Sequence, residues 1–385
     1  MELFKASNQW SQRPIDERFG SLEDLHAQCK AYHDTAAEKD LPFDALRVEA
    51  VAGDVVLMGK AGVPARLTHW AFGQLASHVG APASYLRELA PTLACQNLNY
   101  GLAKRVKDAT GSATAKLLFH TNGSLLLRAI TSQQYSRIWN YEIAERLLDM
   151  QAQGWEGAKP TMAWGADPDV CILCQGSGKN HEGGACVQCR ATGKAQPALY
   201  ASDHDMFAFV INKASYITDP VNHTPLYRGM IWENSEVGAS KLRGTRFYFA
   251  EICGNHIIWG ARDVVEIALR HVGDVRERYG VFAAQMKAYS NESASDAEAK
   301  ITGMRHKLIA GTKEDVLDAL FGKRAVGLSR KVLEAGYEAV APEDGNPNSV
   351  WGFVQGLTRY SQTIPYADKR TDVDRAAGRI MQLVF

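Results

Sequence analysis

Residues 115–130 read AKLLFHT-NG-SLLLRAI. Two apolar runs flank Asn122-Gly123, a dipeptide that tolerates the positive φ of a type I′ turn. The segment is therefore expected to fold as a β-hairpin, which commits this part of the chain to an antiparallel sheet.

Reading outward, Ile138, Ile143, Leu147 and Leu148 supply an apolar stripe for a helix from about Gln133 to Gln151. On the other side, residues 68–90 have helical period, broken at Gly80-Ala-Pro82. The stretch QLASHVGAPASYLREL fits a helix-turn-helix, with Ala76, Gly80 and Leu86 as packing points. An ordinary αα-hairpin needs the same packing, so DNA reading by the second helix and a plain hairpin both stay open. Residues 46–67 alternate and contain Gly53-Asp54 and Gly59, which suits short strands. Ser21-Leu-Glu-Asp resembles a capping box and is expected to open a short helix.

Beyond the hairpin, MFAFVI, YRGMIWE, TRFYFAEI and HIIWGA read as strands within 205–218 and 227–260. Residues 261–290 read as a helix, on the spacing of Val264, Ile267, Ala268, His271 and Val272. Residues 291–315 are polar, and Lys313–Phe321, Ser329–Ala339 and Ser349–Tyr360 read as helices. The expected fold is α+β: a central, mostly antiparallel sheet with flanking helices, an inserted four-cysteine zinc finger and a helical C-terminal region. The expected divisions are 1–64, 65–164, 165–197, 198–290 and 291–385.

The chain has 385 residues, 43 basic and 43 acidic, so no global charge draws it to nucleic acid or to an anionic membrane. Any nucleic-acid binding has to use a local basic patch. The N-terminus lacks a basic segment followed by an apolar one, and no run approaches the ~20 apolar residues of a membrane span. Cys29, Cys95 and Cys253 are scattered among seven cysteines. That pattern suits a reducing compartment, expected to be the cytoplasm of a bacterial host cell, with no membrane partner.

The other four cysteines form two similar units, Cys171-Ile-Leu-Cys174-Gln-Gly-Ser-Gly-Lys179 and Cys186-Val-Gln-Cys189-Arg-Ala-Thr-Gly-Lys194. A two-residue spacer lets both sulfurs of one turn reach one metal, and the glycines free amides to donate to thiolates. Two such knuckles give a closed tetrahedral set, so Cys171, Cys174, Cys186 and Cys189 are expected to hold one structural Zn2+. His181 lies between them but four sulfurs already suffice. Two disulfides or a redox Cys-x-x-Cys are the competing readings; the reducing compartment opposes the first and the duplication the second.

The pattern CxxCxGxG resembles the cysteine-rich region of DnaJ-type chaperones. It covers about 24 residues, without the four repeats or a preceding J-domain, and so implies a zinc finger rather than a chaperone.

A wider resemblance is spread over about residues 65–365. It rests on LASHVGAPASYLREL with Asn97-Leu-Asn99, on Leu127-Arg128-Ala-Ile-Thr-Ser-x-x-Tyr135-Ser-Arg137-Ile, and on Tyr227-Arg228-Gly229 with Asn234-Ser235-Glu236-Val237-Gly238. Cys253-Gly-Asn255-x-Ile-Ile-x-Gly260, Trp351-Gly-Phe and Thr358-Arg-Tyr360 complete it. In these the chain resembles the phage- and plasmid-related family catalogued as domain of unknown function 932. The resemblance implies a mobile-element setting, with the finger as an insertion, and carries no catalytic residues.

Basic and aromatic residues interleave between Lys213 and Phe249, including Lys213, Arg228, Lys241, Arg243, Arg246 and Tyr248. Strand alternation puts Arg246 and Tyr248 on one face, where a cation for phosphate and a ring for base stacking would serve single-stranded DNA. Arg128 and Arg137 add charge after the hairpin. The expected function is a non-enzymatic DNA-binding protein, with single-strand binding or annealing in replication or recombination as the specific form. Homo-oligomerisation stays open. A protein-binding module acting on host factors is one alternative. A metal-dependent nuclease using His204, Asp205, His223, Glu233 and Glu236 is another, although no P-loop, GxSxG or HExxH supports an enzyme. The carboxylate of Glu236 is also read as satisfying backbone amides at a turn.

Overall fold

The computed structural model describes residues 15–383, apart from 60–61, 109–113, 160–169, 172–173, 181–182, 187–188, 190, 195, 219–224, 251–261, 324–325, 364–372, 374–375 and 382. Helix α1 (Leu22–Asp34) begins where Ser21 Oγ accepts from the Asp24 N–H at 3.0 Å. That bond satisfies one of the free amides of the first turn. Four strands follow, β1 (Ala36–Pro42), β2 (Val48–Val51), β3 (Asp54–Met58) and β4 (Pro64–Leu67). Helices α2 (His69–His78), α3 (Ala83–Glu88) and α4 (Pro91–Asp108) come next.

The hairpin forms as β5 (Thr114–Asn122) and β6 (Ser124–Ser132), turning at Gly123, whose φ is 67°. These strands make one six-stranded sheet, ordered β1-β5-β6-β4-β3-β2 and antiparallel except where β4 lies beside β6. Leu57, Leu117 and Leu127 of this sheet are buried against Leu75, Leu86 and Leu98 of the helices.

A second six-stranded sheet follows α5 (Asn140–Gln151). It comprises β7 (Trp155–Gly157), β8 (Leu199–Ala201), β9 (Met206–Thr218), β10 (Pro225–Asn234), β11 (Leu242–Ala250) and β12 (Arg262–Leu269). The order is β12-β11-β10-β9-β7, with β8 also paired to β9. On β9, Met206, Ala208 and Val210 join a core with Leu25, Leu147 and Phe282. The alternate residues Phe207, Phe209 and Ile211 join Ala198, Tyr200 and Ile231. This sheet is therefore covered on both faces.

Helix α6 (Val275–Ser290) closes the first of those cores, and α7 (Ala294–His306), α8 (Lys313–Leu320), α9 (Arg330–Glu338) and α10 (Val350–Thr363) follow, with a further helical stretch at 376–381. The last two pack closely. A Cβ on Gly356 would lie 2.1 Å from the Gly336 oxygen, so only a glycine permits the approach. Among the described residues, no helix is long and apolar enough to cross a membrane.

Four local expectations need correction. Helix α5 starts at Asn140 rather than near Gln133. The preceding segment is drawn into long-range contacts instead: Tyr135 bridges Val272, and Arg137 Nε donates to Glu38 at 2.8 Å. Residues 262–269 form a strand, not the start of a helix. Val264, Val265 and Ile267 favour extended backbone, β11 offers an edge to pair with, and the helix begins only where Asp274 caps α6. The polar stretch after 291 contains α7. Helix α4 has no counterpart among the expected elements, although its buried residues Ala94, Cys95, Leu98 and Leu102 have helical spacing.

Candidate metal centre and motif cleft

The inserted finger leaves and re-enters the second sheet at one point. Ala198 N–H donates to Ala158 O at 2.7 Å, and Ala158 N–H donates to Phe209 O at 2.8 Å. Between these anchors the two cysteine units repeat each other bond for bond. In the first, Gly176 N–H donates to Cys171 O, Ser177 N–H to Cys174 O, and Gly178 N–H to Cys174 Sγ at 3.3 Å. In the second, Ala191, Thr192 and Gly193 do the same toward Cys186 O, Cys189 O and Cys189 Sγ, again at 3.3 Å. Each unit also donates its first cysteine amide to the other, Cys171 to Gly193 O and Cys186 to Gly178 O, both at 2.8 Å.

The glycines are steric requirements here. Gly178 and Gly193 have φ of 69° and 72°, and a Cβ on either would lie 2.3 Å from a backbone oxygen of the opposite unit. All four sulfurs are buried and lie within 4.8 Å of one another. Cys171 and Cys186 sulfurs are 3.9 Å apart, and those of Cys174 and Cys189 are 3.6 Å apart. A disulfide requires about 2.05 Å. A tetrahedral tetrathiolate site with bonds of ~2.3 Å requires sulfur–sulfur edges of ~3.8 Å. The quartet therefore fits a metal ion. Burial opposes ionisation of Cys174, but the Gly178 amide and the neighbouring thiols outweigh it and bring its pKa down to about 7. Among the described residues this is the one converging group of three or more His, Cys, Asp or Glu ligand atoms. His204, Asp205, Glu233 and Glu236 do not form another, and His223 lies outside the described residues, as does His181.

The Asn-Ser-Glu-Val-Gly motif sits at the end of β10, where it joins the two sheets. Asn234 Nδ2 donates to Ile138 O at 2.9 Å and to Asn140 Oδ1 at 2.8 Å. Ser235 Oγ donates to His204 O at 2.6 Å and accepts from Ala239 N–H at 2.9 Å. Glu236 Oε1 accepts from the Asn140 N–H at 2.8 Å, and its Oε2 accepts from Arg128 Nη1 at 3.0 Å. The carboxylate thus does meet a backbone amide, at the first turn of α5, where the helix dipole favours negative charge. Val237 O accepts from Trp70 Nε1 and Gln74 Nε2 of α2, and Gly238 turns the chain at φ 84°.

The basic-aromatic reading needs correcting at four positions. Arg128, Arg137, Arg228 and Tyr248 are buried, between 1% and 6% exposed. Arg128 is spent on Glu236 and, through Nε and Nη2, on Asp203 O. Arg137 donates from Nε to Glu38, and its guanidinium lies over the Tyr135 and Trp139 rings, 5.2 and 5.6 Å from their centroids. Arg228 donates to Tyr289 O at 2.7 Å, Ser290 O at 2.8 Å and Glu292 O, and so closes the C-terminus of α6. Tyr248 lies in the core beneath that helix, and Arg246 is half-buried with its guanidinium 5.7 Å from the Tyr289 ring. Arg246 and Tyr248 do share a strand face, but α6 covers it.

The remaining residues fall differently. Lys241 is exposed and Arg243 lies 3.6 Å from Glu233. The side chain of Lys213 and the whole of Cys253 and Asn255 lie outside the described residues. In the finger, Lys179 and Lys194 are exposed at equivalent positions, and Arg190 lies outside the described residues. The second helix of the expected helix-turn-helix has six residues, and Arg87 folds back to donate to His69 O at 2.8 Å over the Phe72 ring.

Beside the motif opens a cleft of about 640 Å³. Asn234, Gly238, Lys241 and Arg243 line it together with Arg270 and His271. Reading 261–290 as a helix hides the last two, which follow directly on β12 and mark where that strand ends at the cleft. His271 is 4% exposed and stacks on Tyr135 with centroids 5.1 Å apart. Burial, and to a lesser degree Arg137, push its pKa down to about 4, against the Ser136 backbone, which favours the charged ring.

Compared with protein-family models, with curated proteins and with solved structures, the chain matches none.

Proposed function

We propose that this chain is a non-enzymatic DNA-binding protein of the phage- and plasmid-related kind its motifs resemble, with one structural zinc ion in the cysteine quartet. The observation that supports DNA binding best is the motif cleft. Its lining carries Lys241, Arg243 and Arg270 against Asp205 and Glu233, with Glu233 beside Arg243. Lys241 and Arg270 are exposed, and among the described residues no carboxylate pairs with either. The cleft thus has a surplus of one positive charge on a protein of zero net charge, which favours a phosphate-bearing ligand. Lys179 and Lys194 on the finger are also exposed.

Zinc is favoured over other metals by four thiolates in a closed tetrahedral set, and closure favours a structural role. Metal analysis of the purified protein is expected to give one zinc per chain. Fluorescence anisotropy with single- and double-stranded oligonucleotides tests the DNA reading. Affinity is expected to fall steeply between about 50 and 200 mM salt. Charge reversal in K241E/R270E is expected to weaken binding about tenfold or more. Absence of salt-sensitive binding to either form overturns the reading.

A protein-binding role has one specific observation in its favour. Leu93 and Tyr100 on α4 are 48% and 75% exposed, and their seven-residue spacing puts them on one helix face. Capture of a host protein after nuclease treatment, lost in L93S/Y100S and unaffected by K241E/R270E, would favour that role.

A further inference from the structure

Strands β1 and β2 are the two edges of the first sheet, so the chain that joins them has to cross the face of that sheet. Phe43 and Leu46 of the crossing are buried in one core with Leu75, Leu86 and Leu98 of the helices. Beside the crossing lies a groove of about 440 Å³ that the core does not fill. Ala45 and Leu46 line it, together with Phe119 and Leu125 of the hairpin. Leu57 and Ala65, register partners on β3 and β4, add to the same apolar lining. The volume lies within the ~300–1,000 Å³ of small-ligand sites.

One side chain of the lining is charged, that of Lys39. It shares a face of β1 with Ala37 and Leu41, and its ammonium is 5.9 Å from the centre of the Phe119 ring. Strand alternation turns its neighbours Glu38 and Asp40 to the other face, where Glu38 takes Arg137. Lys39 has no ion pair among the described residues. The site therefore combines an apolar groove with a single free cation.

A ligand that matches it has the same two parts with the charge reversed. A purely apolar molecule leaves the ammonium unused. A phosphomonoester brings about 1.5–2 negative charges to one cation. A nucleotide also brings polar base edges against side chains that are otherwise hydrocarbon or thioether, and burying those edges unpaired is unfavourable. A carboxylate carries one charge, and an alkyl chain gains from leaving water. We propose that the groove binds a fatty acid, its alkyl chain against Phe119, Leu57 and Leu125 and its carboxylate on Lys39. The groove and the motif cleft share no lining residue, so this site is separate from the DNA reading.

Titration calorimetry of the full chain with octanoate, decanoate and dodecanoate, each below its micelle concentration, tests the site. Decanol and decylamine are the head-group controls. Affinity is expected to rise about two- to fourfold for each added methylene until the groove is full. Decanoate is expected to bind more tightly than decanol, and decylamine most weakly. K39E, at an exposed position, is expected to weaken decanoate about fivefold or more and to leave decanol unchanged. A37W, also at an exposed position, places a ring in the groove and is expected to abolish binding of every chain length. Equal affinity for the three decyl compounds, unchanged in K39E, overturns the inference, as does saturable binding that survives A37W. Absence of saturable binding overturns it too; a concentration-dependent dimer lost in A37W would then assign the groove to a second copy of the chain. None of these outcomes alters DNA binding, which K241E/R270E reads separately.

Discussion

The cysteine finger and the junction around Glu236 are both tight structures, built on opposite plans. The finger gathers its four ligands from one short stretch, residues 171–189, and its hydrogen bonds stay close to that stretch. The junction joins Arg128, Asn140, Asp203 and Glu236, drawn from β6, α5, the turn before β9 and the end of β10. A local structure of the first kind, built around the proposed zinc, is expected to fail alone when that ion is lost. A structure of the second kind depends on the whole fold and fails with it.

The strongest way to break this contrast is to remove the metal. Structural tetrathiolate zinc contributes an apparent ~10–16 kcal/mol to the folding of such units. Chelation, or Cys174→Ser, is expected to release one equivalent of zinc and open the finger to protease. The sheet is expected to keep its main thermal transition, because Ala158 and Ala198 are pinned to each other and to β9 independently of the sulfurs. A collapse of both transitions together would dissolve the distinction.

Next in size is the junction. Glu236→Gln leaves the Arg128 guanidinium, 3% exposed, without its counter-charge. Breaking a buried pair from one side costs about 3–5 kcal/mol. Urea denaturation is expected to show that loss in the global transition while zinc content stays at one per chain.

The cleft histidine gives a slightly smaller effect with a pH signature. His271 titrates at about 4 in the folded protein against an ordinary value of 6.5. Above 6.5 the ring is neutral in both states and pH changes nothing. As pH falls from 6.5 to 4 the unfolded chain takes up the proton first, and the native state loses up to about 3 kcal/mol; below 4 the loss is complete. H271Q is expected to remove that slope, so the stability difference between the two proteins changes by about 3 kcal/mol between pH 7 and 4.

The smallest effect sharpens the local side. Ser21→Ala removes the cap of α1 and is expected to cost about 1 kcal/mol, seen in thermal melting with no change in metal or DNA binding.

What can be read in the sequence follows the same division. The hairpin at Gly123, the cap at Ser21, the three C-terminal helices and the cysteine repeat are all encoded within a few residues, and each forms where expected. Arg128, Arg137 and Arg228 mislead because a buried guanidinium that binds a carboxylate or a helix end and one that waits for phosphate have the same neighbours in sequence. Their partners are 108, 99 and about 61–64 positions away. Strand alternation on β11 is legible, but the presence of α6 over that face is not. Arg270 and His271 are hidden by a period that β12 and a helix both explain, until the edge of β11 decides between them.

The pinning of Ala158 beside Ala198 also has a practical side. The two ends of the insertion already touch, through Ala158 and Ala198, so the strands on either side are joined at that point independently of the cysteines. The position is a natural splice site. Exchanging the cysteine units for a short turn, a fluorescent reporter or another metal-binding cassette is expected to leave the register of β7, β8 and β9 unchanged, which makes this position a place to graft a new head onto the chain.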